Sequence, residues 1–253
     1  MPRPIKWAAF AALIAFLAVP ARVPGGMQLS AAVAADSPLR ADGGSNLSSS
    51  IHSATTSSLH DEMLHGVAGQ WQHWTSVPEL VVLTSVMQFQ SDARSEYVAT
   101  SEVLPSDAAK NLADDLTDAL RLLTNGTFEE FRIVKFEAAV AGANVSIVRP
   151  RQIVVARYRG LQDVAHTIGL GGRKAARNGA IIGAAILLDN EFDRSSAKRR
   201  LLRTHELGHA LGYNHVTSRP SIMNPRIGPQ MTDADRQVVM QAFNRSGAPA
   251  TAN

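Results

Sequence analysis

The sequence predicts a mixed α/β (α+β) domain, and three observations carry that prediction. Short apolar runs rich in β-branched residues recur at 79–89, 131–137, 151–158 and 180–189, with the length and composition of strands. One long amphipathic helix follows the first run, and two further helical segments close the chain, from about Ser196 to Gly212 and from Thr232 onward. The order strand, helix, strands, helix, helix excludes an all-α or all-β fold and implies a mixed twisted sheet with helices packed on it.

Each element has a local reason. The folded part is expected to begin near residues 71–78, and "ELVVLTSVMQF" then supplies a buried first strand. Ser106, after Pro105, is a candidate N-cap, and Asp107 suits the positive end of the helix that follows. Leu112, Leu116, Ala119, Leu120 and Leu123 line one face of it, and Asn125-Gly126 stops it. "GLGGRKAARNG" lacks the Gly-Lys-Ser/Thr of a phosphate loop and reads as a mobile loop. Thr232 and Asp235 form a capping box at the start of the last helix, with Val239 and Phe243 on its apolar face.

The ends are of a different character. Residues 1–34 have the layout of a secretory signal peptide: Arg3 and Lys6, an apolar run over 7–19, and Ala32-Val33-Ala34 as cleavage site, with Val19-Pro20-Ala21 as competitor. The run is shorter than the ~20 apolar residues of a membrane span, so no stable span is expected once the leader is cleaved. This implies a secreted or periplasmic protein; an uncleaved leader would leave it anchored at its N-terminus. Residues 35–75 are read as a Ser/Thr-rich linker or short pro-segment, 76–246 as the folded domain and 247–253 as a disordered tail.

The net charge of +3 arises from 25 basic and 22 acidic residues. Arg3, Lys6 and Arg22 all precede Ala34, so the remainder carries 22 of each sign and gives no case for nucleic acid as partner. Cysteine is absent, which excludes disulfides, thiolate ligands and a lipidated cysteine.

The chemistry concentrates in "RTHELGHALGYNHVTSRPSIMNP", residues 203–225. Residues four apart share a helix face, so His205 and His209 present their imidazoles to one point, with Glu206 on the flank. Gly212 can take a positive φ and turn the chain so that His215 returns as a third ligand. Three neutral imidazoles leave a fourth position open, the arrangement of catalytic rather than structural zinc. Core or surface histidines on an amphipathic helix are the bland alternative, and chance poorly explains the five residues together.

"HELGHALGYNH" followed by "SIMNP" resembles the metzincin zinc endopeptidases, and the short connection to Met223 is most similar to their matrixin-like branch. The resemblance implies a zincin fold with a long helix, an active-site helix and a small C-terminal subdomain ending in a helix. It implies His205, His209 and His215 as zinc ligands, Glu206 as general base, and Met223 as the Met-turn residue beneath the metal. The expected function is a secreted zinc endopeptidase acting on proteins or peptides, with an exported zinc-binding or adhesion module as the alternative. The resemblance also places an extended substrate on an edge strand near residues 164–170, and one wall of a specificity pocket over 226–231. Val216 stands where matrixins carry a small hydroxyl residue, and Pro225 excludes the tyrosine ligand of astacins and serralysins. His166 matches a structural-zinc position whose partners are missing, so no such zinc is expected.

Three further groups have two readings each. Asp189, Asn190, Glu191 and Asp193 offer oxygen ligands that suit calcium, and equally an acidic helix start. His60, His65 and His73 read as solvated, while Asp61 or Glu62 offers a carboxylate for holding zinc in a latent precursor. Lys198, Arg199, Arg200 and Arg203 read as a solvated helix face, or as contacts for an anionic partner.

Overall fold

The computed structural model describes residues 27–32, 60–65, 69–89 and 97–245. The leader's apolar run, the first part of the linker, 35–59, and the tail, 247–253, lie outside the described residues. The strands are β1 (Met27–Ala32), β2 (Glu79–Leu83), β3 (Ser85–Phe89), β4 (Tyr97–Val103), β5 (Val134–Glu137), β6 (Gln152–Tyr158), β7 (Gly169–Ala175) and β8 (Ile181–Asp189). The helices are α1 (Ser106–Leu123), α2 (Leu161–Ala165), α3 (Asn190–Ser195), α4 (Arg199–Leu211) and α5 (Asp233–Arg245), and a single helical turn spans Asp61–His65. Among the described residues no helix is long and apolar enough to cross a membrane.

The predicted α/β class holds: the strands form one curled mixed sheet in the order β1-β7-β8-β6-β2-β5, with β3 beside β6 and β4 beside β3. Strands β5, β2, β6 and β8 run parallel, while β7 is antiparallel to β8 and β1 antiparallel to β7. Alternation along β2 divides the core. Leu80 and Val82 face the helices with Leu112, Leu116 and Leu120 of α1, while Val81 and Leu83 pack on the other face with Ile147, Val154 and Leu187. α1 lies against both α4 and β2, so the first predicted helix backs the helix that carries the histidines.

Several sequence expectations change in detail. The run over 79–89 is two strands, because Thr84 breaks the ladder: its N–H donates to Glu137 O while its own carbonyl accepts from Leu104 N–H. The run over 131–137 forms a shorter strand, β5, at the sheet edge, with Val134 and Phe136 well exposed. Pro105, not Ser106, is the N-cap of α1, and no side chain caps that end. "GLGGRKA" is a strand and not a mobile loop; the glycines that weaken its strand signal are there for α4, as shown below. The basic face is not all solvated either: Arg203 is buried at 2% exposure. Residues 60–65 and 69–75, ahead of the expected start at 76, join the same core through Met63, Leu64 and Trp74.

Candidate metal centre

α4 presents His205 and His209 from one face, as their spacing requires, and both are fully buried. The helix ends at Gly212, whose φ of +117° turns the chain. A side chain there would be strained by that φ and would also drive a Cβ to 1.8 Å from Gln72 O, so only glycine fits. The turn returns His215, and ring nitrogens of His205, His209 and His215 lie within 4.8 Å of one another. Among the described residues this is the group of three or more metal-capable side chains that converges.

Hydrogen bonds fix the tautomers. His205 Nδ1 lies 2.7 Å from Ile222 O and His209 Nδ1 lies 2.9 Å from Tyr213 O; carbonyl oxygens only accept, so both Nδ1 atoms carry the proton. Their Nε2 atoms are therefore bare lone pairs, yet they face each other at 3.1 Å. His215 Nε2 is buried without a hydrogen-bond partner. Two bare imidazole nitrogens and the unpartnered Nε2 of His215, converging at one site, fit a cation of zinc's size and nitrogen preference. Burial holds all three imidazoles neutral, lowering His205 to about 4 and depressing His209 and His215.

Glu206 is buried on the flank, with neither carboxylate oxygen in a hydrogen bond of ordinary geometry. Burial pushes its pKa well above the usual carboxylate range, opposed only by the nearby Gly171 amide. β7 comes this close because it lacks side chains there: a Cβ at Gly169 would stand 2.4 Å from Glu206 Oε1, and one at Gly171 would stand 2.5 Å from Glu206 O. On the opposite side Met223 is fully buried, its Sδ against Gly208, where a Cβ would approach it to 2.5 Å.

The supports of this site were not read from the sequence as such. Asp235, seen there only as half of a capping box, is fully buried and accepts from Thr232, Ser221 Oγ and Ile222 N–H. It thus ties the Met223 turn to α5, and Ile222 in turn orients His205. Val216 N–H donates to Met223 O at 2.9 Å, joining the third-ligand loop to the same turn. Glu62 accepts from Thr217 and Ser218, which commits it to that loop rather than to a latency contact. Arg203 pairs with Asp193 and Asp115, and Arg157 with Asp193, so Asp193 anchors α4 two residues before His205. Asp189 caps α3 by accepting from Phe192 N–H. Two of the three carboxylates of the calcium reading, Asp189 and Asp193, are therefore engaged in structural bonds, while Glu191 meets Asn190 and Arg194.

The pKa directions yield a pH dependence for the metal-free chain. The imidazoles titrate near 6.5 when unfolded and lower when folded, so the stability they contribute is present above ~6.5. It is lost as pH falls toward the value of about 4 for His205. Glu206 acts with the opposite sign: its raised folded pKa favours the neutral acid, and that stability is lost as pH rises through it. Thermal unfolding of chelator-treated protein is expected to show both losses, with the alkaline one missing from Glu206→Gln.

No protein-family model matches this chain, and no curated protein matches it significantly.

Proposed function

We propose that the chain is a zinc-dependent endopeptidase of metzincin type. The observation that carries this reading is a buried carboxylate, Glu206, beside three converging imidazoles: a purely structural site has no use for Glu206. His205, His209 and His215 would hold the zinc, which when bound supplies Lewis acidity toward a water and a peptide carbonyl. Glu206 accepts the proton of the attacking water at its carboxylate and returns it to the leaving amine. The Met223 turn and Asp235 keep His205 in its Nδ1–H tautomer and orientation.

The mixed sheet with α1 and α4 on one face, followed by a short segment ending in α5, supports the zincin plan that the resemblance implies. The substrate edge then belongs to β7, slightly beyond the expected 164–170. Its outer edge pairs antiparallel with the six residues of β1, which supports the reading that this edge accepts an extended chain. On this reading β1, which lies within the span read as leader, takes the place of a substrate. A tethered strand competes at an effective concentration on the order of mM. A chain beginning at Ala35 is therefore expected to cleave peptides with a KM several-fold lower than one beginning at Arg22, with kcat unchanged; progress curves on one peptide check it.

The test of the function is cleavage of a mixed peptide library by the purified chain. Loss of cleavage with a chelator and recovery with zinc is the expected result. Zinc binding with no cleavage of any peptide would instead favour an exported zinc-binding or adhesion module.

A further inference from the structure

β7 carries a residue to which the peptidase reading gives no task. Arg173 is 2% exposed, and among the described residues its guanidinium meets no carboxylate. Burying an unpaired cation is costly, and burial lowers this one to about 10. All its acceptors are neutral: Nη1 donates to His209 O at 3.0 Å and Tyr213 O at 3.3 Å, Nη2 to Asn214 Oδ1 at 3.0 Å, and Nε to Gln72 Oε1 at 2.8 Å.

These acceptors lie where α4 ends. The last carbonyls of a helix have no partner inside it and carry the negative end of its dipole. Here Gly208 O accepts from Tyr213 N–H, Ala210 O accepts from Trp74 Nε1, and His209 O is met by Gly212 N–H and Arg173. Tyr213 O is shared, receiving both Arg173 and the Nδ1–H of His209. Asn214, held by Arg173 through its amide oxygen, immediately precedes His215 and donates to Met63 O through its backbone N–H.

We infer that Arg173 is a positioning residue for the candidate metal centre, fixing the carbonyl that orients His209 and the residue that delivers His215. This rests on the reading that the three imidazoles hold a metal, and it is independent of whether peptides are cleaved. Arginine suits the task because its planar fork reaches four acceptors in different directions, which lysine cannot do.

The experiment compares wild type, Arg173→Met and Arg173→Lys for zinc affinity by chelator competition, for the visible spectrum after cobalt(II) substitution, and for metal-free thermal stability. Removing a partner that orients a ligand is expected to weaken zinc about 10- to 100-fold and to alter the cobalt bands in R173M, with R173K intermediate. A role in stability alone would lower the melting temperature while leaving affinity and spectrum at wild-type values, and that result overturns the inference. If R173M does not fold, R173K decides: weaker zinc with a changed spectrum supports the inference, and wild-type affinity and spectrum overturn it. A wild-type chain that binds no zinc overturns both this and the proposed function, whereas one that binds zinc and cleaves nothing overturns the proposed function alone.

Discussion

Glu206→Gln is expected to retain zinc and to lose peptide cleavage by about two to four orders of magnitude, the usual contribution of a general base. The substitution preserves shape and burial. The carboxylate has no hydrogen bond of ordinary geometry to lose, so the effect separates chemistry from folding. The comparison is kcat/KM on one peptide with metal content measured on the same samples. Undiminished kcat/KM in a metal-loaded Glu206→Gln chain would remove Glu206 from the mechanism. The neutral amide also lifts the cost of a buried charge, so the metal-free variant is expected to unfold no more easily than wild type above neutral pH.

Asp193→Ala is expected to give the largest loss of stability. Its carboxylate is fully buried and accepts from Arg157 Nε at 2.7 Å and Arg203 Nε at 2.7 Å. Removing it strands two guanidinium groups exposed by only 6% and 3%. Breaking a buried ion pair from one side costs about 3–5 kcal/mol, a large share of the 5–15 kcal/mol that holds a typical domain together. Asp115 still meets Arg203 and offsets part of the loss there, while Arg157 keeps no carboxylate among the pairs described. Urea unfolding of the metal-free chains measures the difference; a loss below about 1 kcal/mol would show that solvent reaches both arginines after all. Because Arg203 stands two residues before His205, a loss of zinc affinity should accompany the loss of stability.

What could be read in advance, and what could not, follows from where each signal lives. His205, Glu206, His209, Gly212 and His215 are close in sequence, and helix geometry alone converts their spacing into a shared point. The apolar strands and α1 were legible because burial imposes a period on the chain. β7 was misread because its decisive constraint is remote: Gly169 and Gly171 lack side chains to admit α4, whose Glu206 and His209 lie some 35 residues on. Arg173, Asp193 and Arg203 were invisible for a similar reason. Nothing local distinguishes a charged residue on a solvated face from one whose partner arrives from another element. Thr232 and Asp235 are a middle case: the capping box was plain, but its second use, holding the Ile222 amide behind His205, depends on the fold.

The central claim is that His205, His209 and His215 together hold one zinc ion. The most direct test is zinc stoichiometry by elemental analysis of wild type and His215→Ala, each stripped with chelator, reloaded and freed of loose metal. One zinc per chain in the wild type and essentially none in His215→Ala is the predicted result. A wild type without zinc, or a His215→Ala chain that holds as much zinc as wild type, would contradict it.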